Sequence, residues 1–211
     1  VKLEQKMSKE EAIIPAVDKD ILKSELSPDR FLRYTNNGNN LVYLVNHHNS
    51  PNVVREIGRL RELTFRTAGG GTGKSLDLDE NDICPNCYEQ LITWNPEDEE
   101  IVAGYRLIHC KNAVSEGGNI NLSTFHLFDF SDEFVKNYLP YTIELGRSFV
   151  QPKFQPSIDN RKGIFSLDNL WDGLGAVVLL HPDVKYLFGK VTMYPHYHRE
   201  ARDLLLVFLN H

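Results

Sequence analysis

The sequence predicts a mixed α/β domain, a mixed β-sheet with helices packed on both faces. Three observations lead there. Apolar residues make up 41% and charged residues 25% of a 211-residue chain, a balance that suits a globular domain with one substantial core. The hydrophobic period switches between strand and helix spacing in the order β-α-β-β-β-α-β-α. Finally, Tyr141–Val150 (YTIELGRSFV) reads as a buried strand that carries Glu144 and Arg147 within it, and charges are costly in such a strand unless they are partnered.

Residues 1–40 mix charge, proline and asparagine, with a short amphipathic stretch from Asp20 to Leu32, and are expected to form a peripheral arm ahead of a domain spanning 41–211. LVYLV (Leu41–Val45) is the first strand. Ser50-Pro51 suits a helix start, with serine as N-cap and proline at the first helical position. Val53, Ile57, Leu60 and Thr64 then recur at helical spacing, widened by Val54 and Leu63, until AGGGTG makes further helix costly. A helix over about 51–67 follows. Tyr88–Trp94 and Ile101–Cys110 flank the turn NPEDEE as a hairpin. A long connection leads to Tyr141–Val150. After QPKFQPSIDNRKG, the pattern LDNLWDGLGAVVLL predicts an amphipathic helix over Leu167–Leu180, whose first turns could face an anionic ligand. YLFGKVTM (Tyr186–Met193) reads as a strand, and His198–Asn210 as a last helix apolar enough to be buried. Because the chain stops at that apolar helix without a polar tail, the natural protein is expected to continue and the domain to be truncated at its C-terminal end.

Several function classes are set aside on composition. No apolar run is read as long enough to span a bilayer, and VKLEQKMSKEE lacks the apolar centre of a signal peptide. Three cysteines without an even framework fit a reducing compartment, so the cytoplasm is the expected location. A net charge of -6 argues against broad nucleic-acid binding, although Arg55, Arg59, Arg61 and Arg66 could form a local docking cluster for an acidic partner.

Two motifs invite other chemistry. Residues 68–75, AGGGTGKS, satisfy a relaxed phosphate-loop pattern in which backbone N–H groups and Lys74 would hold phosphates. That loop should leave a strand and enter a helix. This one leaves a helix and enters the acidic SLDLDEND, so it reads as a helix stop that binds no nucleotide. Cys84-Pro-Asn-Cys87 has the spacing of half a zinc site or a redox pair. With no second such pair, and with His109-Cys110 lacking ligand spacing, two structural thiols are expected and no metal. His47, His48, His196 and His198 read as exposed loop histidines.

What remains is a series of charges beside aromatic residues. Arg61 and Phe65 lie four apart, on one face of the first long helix. Asp79 and Asp82 follow in the acidic loop, Arg106 interrupts GYRLI, and Glu144 and Arg147 interrupt ELGRS. Three apart on a period-two strand, Glu144 and Arg147 should point to opposite faces and find separate partners.

R-x-x-x-F, D-x-x-D, G-x-R-L and E-x-x-R in this order resemble the signature of the autoinducer (acyl-homoserine lactone) synthases and of the acyl-carrier-protein-dependent N-acyltransferases that make ornithine lipids and other acyl-amino-acid lipids. The match runs from about Leu41 to the end. ELGRSFVQP followed by LWDGLG is more similar to the ornithine-lipid branch, often labelled hemolysin. The resemblance implies a GNAT fold, the fold of acyl-CoA N-acyltransferases. It also implies transfer of a fatty acyl group, often 3-hydroxylated, from a thioester to the amine of a small amino acid. Glu144 would be the catalytic base, and Arg61, Phe65, Asp79, Asp82, Arg106 and Arg147 an acceptor-binding or electrostatic cluster. Ser148, Phe149, Val150 and Trp171 would contact the acyl donor, beside a splayed gap between the strands at 141–150 and 186–193 whose free N–H groups polarise the thioester. The Q/R-x-x-G-x-G/A loop that holds the pyrophosphate of coenzyme A is missing, which favours acyl carrier protein (phosphopantetheine) as donor over acyl-CoA. No permanently bound cofactor is implied, and peripheral contact with the inner membrane face is. An autoinducer synthase-like enzyme and a non-catalytic acyl or carrier-protein binding module are the alternatives.

Overall fold

The computed structural model describes residues 10–115, 117–155, 161–194 and 197–210. Six strands form one sheet in chain order: β1 (Phe31–Tyr34), β2 (Leu41–Val45), β3 (Glu89–Asn95), β4 (Glu100–His109), β5 (Thr142–Val150) and β6 (Tyr186–Gly189). The first five are antiparallel neighbours, and β6 pairs parallel to β5. A parallel pair needs a crossover, and the helix expected between these strands supplies it.

Helices α1 (Lys19–Glu25) and α2 (Pro51–Thr67) cover one face. There Val53, Ile57 and Leu60 of α2 meet Tyr43, Val45, Ile92 and Trp94 of the sheet. Short helices α3 (Glu80–Ile83) and α4 (Asp132–Asn137) sit in the two long connections. Helix α5 (Ser166–Leu180) covers the other face, with Leu174 and Val177 on Val42, Leu91, Leu107 and Ile143. Each such fully buried aliphatic side chain contributes about 1.5–3 kcal/mol. Gly173 lets α5 settle onto the sheet, since a Cβ there would come within 3.0 Å of both Leu91 and Val42. Helix α6 (Arg199–Leu209) ends the described chain.

The expected core elements are present, with four differences. Residues 31–34 are an edge strand, so this part of the expected arm belongs to the sheet. Ser50 does not cap α2 through its side chain. Instead the carboxylate of Glu25, at the end of α1, accepts from the N–H groups of Asn52 and Val53, each at 2.9 Å, where the positive end of the helix favours an anion. Strand β6 stops at Gly189, four residues before the expected end. Helix α6 has no buried residue: Leu204, Val207, Phe208 and Leu209 are exposed. The stretch Gly163–Leu180 is also long and apolar enough, by length and composition alone, for a membrane span, which the sequence reading missed. In this fold it is the crossover helix, packed on the sheet.

Candidate active site

The sheet comes apart between β5 and β6. Pairing runs from Thr142↔Tyr186 to Leu145↔Gly189 and ends there. Beyond that point Gly146, Arg147 and Ser148 on one side and Lys190, Val191 and Thr192 on the other line a cavity of about 650 Å³. Phe65 at the end of α2, Tyr194 and Tyr197 supply its aromatic walls. This is the splayed gap expected from the sequence.

On its other edge β5 carries a bulge. Gly146 pairs with Arg106 and Phe149 with Gly104, so Arg147 and Ser148 together face Tyr105. Arg147 takes φ of 50°, a left-handed conformation that costs a non-glycine residue about 1–3 kcal/mol. The bulge breaks the strand's alternation. Arg147 therefore does not point to the face opposite Glu144, as the period of two predicted, but joins the charge cluster; the two do find separate partners, and the Arg147 guanidinium reaches Asp77 at 2.8 Å and Asp79 at 3.4 Å.

Asp79 and Asp82 owe their spacing to α3. Asp79 accepts from the N–H of Asn81, and Asp82 accepts from the N–H of Asp79, each at 3.0 Å, a reciprocal capping box. The same two carboxylates also hold arginines. Arg106 bonds Asp79 at 2.7 Å and Asp82 at 3.2 Å. Arg61, 0% exposed, bonds Asp82 at 3.0 Å and also donates to Gln90, which itself donates to Asp82. Three arginines thus face three aspartates, and the cluster is close to neutral. Burial works to raise the carboxyl of Asp82, yet Arg61 and Arg106 hold it below its ordinary value. Burial pushes Asp77 up despite Arg147. Only Asp79, Arg106 and Arg147 of this cluster line the cavity.

Glu144 is 0% exposed and does not line the cavity. Its carboxylate accepts from three hydroxyls: Tyr88 at 3.0 Å, Thr124 at 2.7 Å, and Ser123. Ser123 and Thr124 do line the cavity, so they stand between Glu144 and any ligand there. Among the described residues no arginine or lysine pairs with Glu144; the ring of Tyr88 is interposed, 4.8 Å from the Arg106 guanidinium carbon. Burial and the Glu144 carboxylate push the Tyr88 hydroxyl far above its ordinary value, which keeps it protonated as a donor.

Of the expected donor contacts, only Ser148 lies in the cavity. Phe149 is buried beneath α1 and α2, over Gly104, where a Cβ would come within 2.9 Å of its ring. Val150 packs with Phe154 and Leu170. Trp171 is 57% exposed on α5, across the sheet, and no α5 residue lines the cavity. The sequence reading missed Asp77, Tyr88, Ser123 and Thr124. Asp77 sits in the acidic loop already singled out, whereas Ser123 and Thr124 lie in an irregular connection with no periodicity to mark them.

The other motifs resolve physically. Glu62 accepts from the N–H groups of Thr72 and Gly73, each at 2.9 Å, and from the Thr72 hydroxyl at 2.7 Å, so an internal carboxylate occupies the loop AGGGTGKS. Cys84 and Cys87 are half-buried free thiols. Among the described residues they do not group with His109 or with Cys110, which is buried in a separate apolar cluster. His47 and His48 lie in a turn, His198 is exposed, and His196 is outside the described residues. Of the four arginines considered as a docking cluster, Arg61 is buried, Arg59 bonds Glu56, Arg66 bonds Glu62 and Arg55 is exposed.

Residues 60–158 match the family model of the acetyltransferase (GNAT) domain. The fold is that of a GNAT domain. The chain is 56% identical over 201 residues, 95% of its own length, to a glycine N(alpha)-acyltransferase of Phocaeicola vulgatus. It is 58% identical over 200 residues, 94% of its length, to a glycine N(alpha)-acyltransferase of Bacteroides thetaiotaomicron. It spans 62% and 59% of the length of these curated relatives. No solved structure matches.

Proposed function

We propose that this domain belongs to an N-acyltransferase that moves a fatty acyl group from a thioester to the amine of glycine, in the synthesis of acyl-amino-acid membrane lipids. The observation that carries this reading is the cavity at the split between β5 and β6, with a buried carboxylate behind two hydroxyls in its wall. The names of the relatives favour glycine as the acceptor.

The unpaired edge of β5 beyond Leu145 offers N–H groups to the pantetheine arm and to the thioester carbonyl, where negative charge develops. Arg147, at the mouth of the charge cluster, takes the glycine carboxylate, with Asp79 and Arg106 fixing its position. Arg61 and Asp82, out of reach, hold the cluster together. The glycine ammonium must lose a proton before it attacks. Ser123 accepts that proton as its own passes to Glu144, so the carboxylate acts as base through a hydroxyl. The amine nitrogen then bonds to the acyl carbon, the carbon–sulfur bond breaks, and the second proton released by that nitrogen passes to the departing sulfur, which leaves as thiol. Acyl carrier protein is the favoured donor over coenzyme A, because the sequence after β5 lacks the Q/R-x-x-G-x-G/A pattern that holds the coenzyme A pyrophosphate. Its encounter with the enzyme takes place in the cytoplasm, near the membrane face.

Incubating the full-length protein with palmitoyl-carrier protein or palmitoyl-CoA and glycine should release free thiol and yield N-palmitoylglycine by mass spectrometry. Binding of the donor without thiol release would make this a non-catalytic module. Methylthioadenosine formed from S-adenosylmethionine would mark an autoinducer synthase.

A further inference from the structure

A second cluster of ligating side chains stands at the opposite end of β5 from the cavity. His109 is the last residue of β4 and pairs with Ile143; His181 follows α5, and Asp183 lies in the turn leading to β6. One ligand atom from each of the three lies within 4.8 Å of those of the other two. The rings of His109 and His181 meet edge to face at 5.6 Å, and Asp183 lies 3.8 Å from Nε2 of His109.

His109 has no role in the proposed reaction, yet it is 3% exposed. Its Nε2 is 3.0 Å from the Pro140 carbonyl oxygen and therefore donates its proton there. That leaves Nδ1 as a bare lone pair, buried and without a partner. An unsatisfied buried polar atom calls for an explanation. A neutral imidazole with one N–H held by a backbone carbonyl and the other nitrogen free is the arrangement that orients histidine ligands. Two imidazoles and a carboxylate suit a divalent transition metal in a site completed by water.

We propose that His109, His181 and Asp183 bind a divalent metal of the zinc class and tie the α5–β6 turn to the end of β4. Asp183 now holds the ammonium of Lys111 at 2.6 Å, and Lys111 is the competitor the metal displaces. Removing that ammonium tightens the metal, a result that a merely structural Lys111–Asp183 pair does not predict.

The test is isothermal titration with zinc chloride, in a Cys84→Ser/Cys87→Ser background so that this half-buried thiol pair contributes nothing and only the buried Cys110 remains. One zinc per chain is expected, with a rise in Tm of about 5–10 °C at a hundredfold excess over Kd. His181→Ala and Asp183→Asn, at half-buried positions, should fold and weaken binding by more than the about 10–100-fold that even an outer partner is worth. Lys111→Met should strengthen it. Absence of saturable zinc binding in the Cys84→Ser/Cys87→Ser protein, or binding that His181→Ala and Asp183→Asn leave unchanged, overturns the proposal. Neither result bears on acyl transfer, which is measured separately.

Discussion

Two glutamates, Glu62 on α2 and Glu144 on β5, are each 0% exposed, and neither is a core residue by type. They differ in what holds them. Glu62 takes fixed donors: two backbone N–H groups, the Thr72 hydroxyl and the Arg66 guanidinium. A backbone N–H donates and can do nothing else, so that carboxylate is closed. Glu144 takes three hydroxyls and, among the described residues, no cation. A hydroxyl donates and accepts, and two of these three face the cavity. The chemistry of the partners, more than depth of burial, separates a carboxylate that fastens a loop from one that can receive a proton.

The sharpest test of that difference is Glu144→Gln, which keeps shape and removes the basic charge. Acyl transfer should fall by about 10²–10⁴-fold, with donor binding and Tm little changed. Ser123→Ala should lower the rate in the same direction. If Tm drops while the folded enzyme keeps its rate, Glu144 is as structural as Glu62 and the comparison breaks. Arg61→Met probes the closed part of the charge cluster. Burial works against the Arg61 charge and lowers its proton affinity, so the pair with Asp82 is sustained by geometry. Removing one partner should cost about 3–5 kcal/mol in denaturant unfolding, while the folded fraction keeps its KM for glycine. A raised KM at unchanged stability would bring Arg61 into the acceptor site.

Glu62→Gln should cost less, about 1–3 kcal/mol, as donors to a carboxylate lose their charged acceptor. Burial acts to raise Glu62, but the Thr72 hydroxyl and N–H, Arg66 and the Gly73 N–H together hold it below its ordinary value. A depressed carboxyl contributes stability that is whole above the unfolded glutamate value and lost as pH falls through the folded one. Wild type and Glu62→Gln should therefore differ in Tm at pH 7 and converge towards pH 3. A constant difference across that range would mean the charge is not what fastens the loop.

Much of this was legible in the sequence, for identifiable reasons. Helix α2 and the β3–β4 hairpin announce themselves because apolar period and terminators agree. D-x-x-D could be read because its spacing is fixed locally, by a capping box. Arg147 could not be placed, since a one-residue bulge reverses the face that alternation assigns, and the bulge depends on pairing with Gly104 and Arg106, forty residues earlier. The same bulge carries Phe149 into the core and away from the donor. Trp171 looked like a site residue through proximity in sequence to the strand, while the crossover takes it to the far face. Ser123 and Thr124 gave no signal because they are defined only by the carboxylate they bond.

The smallest effect expected is none at all, and it concerns AGGGTGKS. A loop of successive N–H groups is an anion nest, and on composition alone this one could hold a phosphate. Here the N–H groups of Thr72 and Gly73 already meet the Glu62 carboxylate, which is covalently part of the helix the loop leaves and so is always present. Arg66, the nearest guanidinium, is bonded to the same carboxylate. A phosphate would have to displace an internal anion held by four donors, or sit beside it and meet its repulsion. ATP with magnesium should therefore leave Tm unchanged. In Glu62→Gln the repulsion goes but the carbonyl oxygen remains in the nest, so no shift is expected there either. A nucleotide-dependent rise in Tm of wild type would show that the carboxylate yields to phosphate, and the contrast between a closed and an open glutamate would fail at its closed end.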